Sequence, residues 1–316
     1  MKKNKLCVFI IKKIIGHKTL QLSTVIMKKI IVLLFVLIYS LASCQQTNNG
    51  KNTDSANPEV DFHINGNRIL VYANVNGIDS MLFMVDNGST RTLISNKSFE
   101  KYPIFDSKSM IKDPDYGLLS ISPLHFTMNK YSFNLDTVTV CYDKCQTVDD
   151  NLVGILGVEF FMDQIIQFDF ERNKMIILKS LPANIKDYET LQLHKDTLNK
   201  SYPSQKFRYI LLPGFVDSND KPIDGFFSLD LGSAVTLFTH KFSNKINLEK
   251  STSQKHDITS EICSMPSLQT NVYFMEDDGK SVTLLEDGYI GVDFLSHFNV
   301  IFDYPHNKLY LKPIKQ

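Results

Sequence analysis

The sequence predicts a mostly β fold built from two similar halves. Three observations carry that expectation. Short β-branched or aromatic segments alternate with turn residues, long helical periodicity is absent, and one set of motifs occurs twice at matched spacing. Leu70–Val75 (LVYANV), Met81–Val85 (MLFMV), Tyr131–Tyr142 (YSFNLDTVTVCY) and Lys174–Leu178 (KMIIL) read as strands. Asn65-Gly66 and Asn76-Gly77 read as hairpin turns, because Asn and Gly tolerate the positive φ that tight turns require.

The repeat begins with Phe83-Met84-Val85-Asp86-Asn87-Gly88-Ser89 and is matched by Phe227-Ser228-Leu229-Asp230-Leu231-Gly232-Ser233. Each is an apolar strand ending in Asp-x-Gly-Ser, and each leads into a second apolar stretch, Thr92-Leu93-Ile94 and Val235-Thr236-Leu237-Phe238. Ile155-Leu156-Gly157-Val158-Glu159 is then matched by Tyr289-Ile290-Gly291-Val292-Asp293. Twelve residues separate Gly157 from Asp169 and Gly291 from Asp303, and each Asp precedes an Asn-Lys pair at the same offset. The reading is a duplicated lobe, residues 59–181 and 182–316. Glu159 and Asp293 are expected in the first turn of a short helix, where negative charge suits the helix dipole. Asp169 and Asp303 are expected to be structural.

The N-terminus reads as a targeting segment. Met27-Lys28-Lys29, the apolar run Ile30–Tyr39 and Leu41-Ala42-Ser43-Cys44 form a charged region, a hydrophobic region and a small-residue cleavage site. A run of this length is shorter than the roughly 20 residues that span a bilayer. Residues 1–26 read as an extension upstream of the true start, 27–43 as the signal peptide and 44–58 as a polar tether. Leu-Ala-Ser before Cys44 resembles the bacterial lipoprotein lipobox. That resemblance implies a lipidated Cys44, a membrane partner reached through the lipid, and a place in the cell envelope on the periplasmic side or surface. Export implies an oxidising compartment. A Cys141–Cys145 bridge, leaving Cys263 unpaired, stands beside three free thiols as an open alternative.

Charge excludes one class of function. Residues 1–43 hold eight Lys and no acid; without them 26 basic groups face 34 acidic ones, a net charge of −8. Nucleic-acid binding needs clustered cations, and the four Arg are scattered. His-Glu-x-x-His, Cys-x-x-Cys and Gly-x-Ser-x-Gly are all absent, so neither a metal, a cofactor nor a serine nucleophile is expected.

Asp-x-Gly-Ser at a strand end, with an apolar-apolar-Gly motif downstream and both present twice, resembles the pepsin and retropepsin family of aspartic proteases. The resemblance spans residues 59–316. It implies a bilobed fold of two pseudo-symmetric β half-barrels with short helices, a single chain acting as a monomer, and a polypeptide substrate. It implies that Asp86 and Asp230 are the catalytic pair. Gly88 and Gly232 let the loop backbone approach the site, and the Ser89 and Ser233 hydroxyls bond the outer carboxylate oxygens. Tyr116, followed by Gly117, is the flap candidate, with a plain surface turn as the alternative. The sequence departs from the family between Asp and Gly, where Asn87 and Leu231 replace the usual Thr or Ser. Leu231 neither donates nor accepts through its side chain, so a reciprocal side-chain lock between the loops cannot form. Asn87 reaching a backbone group of the other loop stays open.

Two carboxylates about 4 Å apart, at an effective dielectric near 20, repel by roughly 4 kcal/mol. That splits their titration by roughly three units, so one acid stays protonated while its partner is ionised. Such a pair activates a water and donates to the developing oxyanion. The expected function is an exported aspartic-type endopeptidase, against the alternative of a peptide-binding lipoprotein impaired in catalysis by the departures at Asn87 and Leu231.

Overall fold

A computed structural model describes residues 56–89, 91–105, 111–112, 119–121, 123–136, 138–141, 151–195, 209–211, 214–216, 222–239, 242, 256–260, 268–274 and 287–314. Cys44, Tyr116, Cys145 and Cys263 lie outside these residues, as do the signal and nearly all of the tether. Ala56–Gln316 forms one compact unit. No helix among the described residues is long and apolar enough to cross a membrane.

The protein is mostly β. The first half contains β1 (Glu59–Asn65), β2 (Arg68–Val75), β3 (Ile78–Val85), β4 (Leu93–Ser95), β5 (Ile111–Lys112), β6 (Leu119–Ile121), β7 (Leu124–Met128), β8 (Tyr131–Leu135), β9 (Val138–Cys141), β10 (Leu152–Leu156), β11 (Ile165–Asp169) and β12 (Lys174–Leu178). The second contains β13 (Glu189–Gln192), β14 (His194–Lys195), β15 (Tyr209–Leu211), β16 (Gly214–Val216), β17 (Pro222–Asp224), β18 (Phe227–Leu229), β19 (Thr236–Phe238), β20 (His256–Ser260), β21 (Leu268–Phe274), β22 (Gly288–Ile290), β23 (Phe298–Asp303) and β24 (Lys308–Pro313). Two short α-helices, α1 (Asn96–Lys101) and α2 (Val292–Leu295), occur among the described residues.

The turns follow from the sequence with one shift. Asn76 and Gly77 both take positive φ between β2 and β3, as a two-residue turn of this hand requires. Between β1 and β2 the positive-φ pair is Gly66 and Asn67 rather than Asn65-Gly66, since Asn65 pairs with Arg68 as the last rung of the ladder. The run Tyr131–Tyr142 is not one strand. It divides after Leu135, because β8 pairs back on β7 whereas β9 runs parallel to β4.

One local pattern recurs and positions both Asp loops. β10 lies between β3 and β4, parallel to the first and antiparallel to the second. In the same way β22 lies between β18 and β19. The chain before and after each loop is thus clamped on the two sides of a single central strand. All five residues of β10 are buried, which explains its unbroken Leu-Val-Gly-Ile-Leu sequence. Gly154 and Gly288 sit at matching points of these strands, where a Cβ would strike the carbonyl oxygens of Leu93 and Leu237. The sequence signal for them is Gly-x-x-Gly, completed by Gly157 and Gly291.

The halves share a sheet. β11 pairs antiparallel with β23, placing Gln167 opposite Ile301, its own counterpart in the repeat. Phe161, Phe168, Phe294, Phe298 and Phe302 are fully buried beside this junction in one continuous apolar core. Asp169 and Asp303 end these two strands and organise equivalent turns. Asp169 accepts from the Arg172 N–H and Nε, and Asp303 from the His306 N–H, while Asn173 and Asn307 take the same left-handed φ.

Candidate active site

Asp86 and Asp230 emerge from β3 and β18 in the same way. The Asp86 N–H donates to Leu156 O and the Asp230 N–H to Ile290 O, both at 3.0 Å. Each loop then turns tightly, with Ser89 N–H on Asp86 O (3.3 Å) and Ser233 N–H on Asp230 O (3.1 Å). A second tether fixes each far end, where Val158 N–H donates to Ser89 O and Val292 N–H to Ser233 O, both at 2.9 Å.

The two loops, 144 positions apart in sequence, meet. A Cβ on Gly88 would lie 2.7 Å from Asp230 Cγ, and a Cβ on Gly232 would collide with Asp86 Cγ. Each glycine therefore packs directly against the carboxyl of the other loop, and the contact is reciprocal. The Asp230 side chain beside Asp86 favours the protonated form of the Asp86 carboxyl. Backbone donors steady each acid: Ser89 N–H reaches Asp86 Oδ1 at 2.8 Å, and Gly232 N–H reaches Asp230 Oδ1 at 2.9 Å. Both aspartates keep partial access to solvent. The surrounding protein pushes Asp86 well above the ordinary carboxyl value, through burial first and the negative charge of Asp230 second. The Ser89 and Gly88 N–H groups oppose the rise.

Asn87 connects the loops. Its Oδ1 accepts from Leu231 N–H at 2.8 Å, and its Nδ2 donates to the Tyr304 hydroxyl at 2.9 Å, both in buried surroundings. The link runs one way, from side chain to backbone, and the Leu231 side chain is fully buried in the apolar core. The serines depart from expectation. The Ser89 hydroxyl donates to Arg91 O at 2.8 Å and the Ser233 hydroxyl to Val235 O at 2.7 Å. They brace the exit of each loop, while backbone N–H groups, of Ser89 in one loop and Gly232 in the other, face the carboxyls.

Glu159 and Asp293 take the predicted place in the first turn of short helices, Val158–Phe160 and α2. Their carboxylates do more than face a dipole. Glu159 accepts from the buried Thr92 N–H at 2.6 Å; Asp293 accepts from Thr236 N–H at 3.0 Å and from its hydroxyl at 2.8 Å. The Thr hydroxyls in turn accept from Gly157 and Gly291 N–H at 3.1 and 3.2 Å. Burial raises both carboxyls above their ordinary values. Substituting Glu159 by Ala strands a buried N–H. The expected cost is about 1–3 kcal/mol of stability, read by denaturant unfolding. Among the described residues no cluster of three or more acidic, His or Cys side chains is arranged to hold a metal ion.

No family model matches the chain, and no curated protein matches it. Among solved structures it is similar to basic 7S globulin from soybean, with a TM-score of 0.51 and 10% identity, covering 81% of this chain and 95% of that one. It is equally similar to conglutin gamma, a basic 7S globulin from lupine seeds, with a TM-score of 0.51, 8% identity and the same coverage. At these identities the likeness establishes a shared fold. The membership in the pepsin and retropepsin family implied by the motif resemblance is corrected by these findings. The two solved structures named above are seed globulins, and neither a family model nor a curated sequence supports that membership. The physical reason is that the resemblance rests on two four-residue loops and two glycine motifs. Both loops also lack the usual hydroxyl residue between Asp and Gly.

Proposed function

We propose that this protein is an endopeptidase that activates water between Asp86 and Asp230. The observation that carries the reading is the reciprocal seating of each loop glycine on the opposite carboxyl. In the proposed cycle the ionised acid takes a proton from a water. The water oxygen bonds to the carbonyl carbon of a peptide, and the protonated acid donates to the carbonyl oxygen. The carboxyl that took the water proton then passes it to the amide nitrogen, the C–N bond breaks, and the other carboxylate takes back a proton from a hydroxyl of the intermediate, so that a carboxylic acid and an amine leave and the pair is restored. The substrate is an extended polypeptide, whose backbone pairs with strand edges flanking the cleft.

On this reading residues 59–181 and 182–316 are two pseudo-symmetric β lobes of a monomer. The repeated strand clamp around each loop and the pairing of Gln167 with Ile301 support that organisation. Gly88 and Gly232 bring the loops to contact; Asn87, Leu231, Ser89 and Ser233 shape and hold them. The mature chain is exported and held at a bacterial membrane by a lipid on Cys44, as the N-terminal sequence implies. The test is incubation of the purified mature chain with a denatured protein mixture from acidic to neutral pH. Internal cleavage by the wild type, absent from an Asp86→Asn control, is the expected result. Peptide binding without cleavage at any pH contradicts it.

A further inference from the structure

Tyr304 lies in the turn after β23, far in sequence from either Asp loop, yet its hydroxyl is what the Asn87 amide donates to. We propose that Tyr304 is a positioning residue for the carboxyl pair. By accepting from Asn87 Nδ2, it holds Asn87 Oδ1 on Leu231 N–H and so fixes one Asp loop against the other. The inference rests on the proposed function for its catalytic consequence but not for its geometry.

Three observations support it. Both hydrogen bonds are buried, with Tyr304 only 2% and Asn87 8% exposed. Water therefore competes poorly for either partner, and a lost partner is left unsatisfied. The amide orientation is determined by its surroundings, since a flipped Asn87 would set Nδ2 against the Leu231 N–H, donor against donor. A small cavity lined in part by Asn87, Gly88, Ser228 and Tyr304 borders the amide, so its neighbours do not wholly fix it by packing. The Ser228 hydroxyl, buried and without a hydrogen-bond partner among the described residues, offers it an alternative.

The repeat supplies an internal comparison. Phe170 occupies the position equivalent to Tyr304, and Leu231 the position equivalent to Asn87. The Asn87–Tyr304 pair, which crosses between the halves, is thus polar, and its counterpart in the repeat, Leu231 with Phe170, is apolar, all four residues being buried. The one polar residue of each kind is matched with the other, as expected if the hydroxyl serves the amide. It also indicates that a phenylalanine ring is tolerated in the Tyr304 setting.

The experiment is amide hydrogen exchange, resolved by residue, on wild type, Tyr304→Phe and Asn87→Ala, with hydrolysis kinetics alongside. Asp230 N–H, bonded to Ile290 O within the same half, is the internal reference. In both variants Leu231 N–H is expected to exchange about tenfold or more faster relative to that reference, the loss of one buried hydrogen bond. Hydrolysis by Tyr304→Phe is expected to show kcat reduced about tenfold with KM changed less than about twofold, the pattern of a lost transition-state arrangement. Unchanged Leu231 exchange in Tyr304→Phe, with Asn87→Ala exchanging faster, overturns the proposal and leaves Tyr304 as packing. Unchanged exchange in both variants overturns it as well. Faster Leu231 exchange in both variants, beside a wild type that cleaves nothing, upholds the positioning role and contradicts the peptidase reading instead. Asn87→Ala reads the same bond without disturbing the aromatic core.

Discussion

Replacing either Asp86 or Asp230 by Asn is expected to abolish peptide hydrolysis, with kcat reduced by at least about a hundredfold to ten-thousandfold, the usual contribution of a positioned acid or base. The pair works as a unit, so the double variant should be no worse than either single one. The same substitution separates function from stability. Asp86 holds its proton more tightly in the folded protein than in the unfolded chain, because burial and the Asp230 charge both disfavour ionisation. With respect to this group, stability is therefore greatest at low pH. It declines as pH rises from the ordinary value near 3.8 toward the raised folded value, and is level above that. Asp86→Asn removes the decline. Its thermal midpoint should exceed that of the wild type at neutral pH, and the advantage should vanish below the ordinary carboxyl value near 3.8, where Asp86 is protonated in the folded and the unfolded wild type alike. A variant that loses activity and stability together at neutral pH would show that Asp86 is ionised and paired with a cation.

Gly88→Ala and Gly232→Ala are expected to have the second-largest effects, and for a steric reason. The added methyl at Gly88 would sit 2.7 Å from Asp230 Cγ, and the one at Gly232 would overlap Asp86 Cγ. Neither neighbour can retreat freely, since each carboxyl is held by backbone donors of its own loop. The loops must part, which costs about 1–3 kcal/mol of stability as overpacking does. Separation moves the two carboxyls apart, so activity should fall with the pair rather than with substrate affinity. Ala at Gly77 is a useful contrast: no atom lies within 4 Å of its Cβ position, and its cost comes from positive φ alone.

The parts of this arrangement that were legible in the sequence are those that the repeat makes visible. Asp86 and Asp230 stand out because each ends an apolar strand, and Gly157 and Gly291 because each recurs at fixed spacing. What was not legible depends on partners remote in sequence. Asn87 announces polarity but not that its amide spans from Leu231 to Tyr304, and nothing near Tyr304 marks its hydroxyl as an acceptor. The serine hydroxyls follow the loop exit, while backbone N–H groups face the carboxyls. Glu159 and Asp293 read correctly as first-turn acids, yet their bonds to Thr92 and Thr236 depend on a strand some sixty positions away. Gly154 and Gly288 could have been found, since they stand three residues before glycines already singled out.

The central claim is that one proton is shared by two acids drawn from opposite halves of the chain. Carbon-13 titration of the aspartate carboxyls tests it most directly. The account predicts two separated midpoints for the Asp86–Asp230 pair, with the upper one well above the ordinary carboxyl value and lost from Asp86 when Asp230 is replaced by Asn. Two independent titrations near the ordinary value, unaffected by replacing the partner, would contradict it.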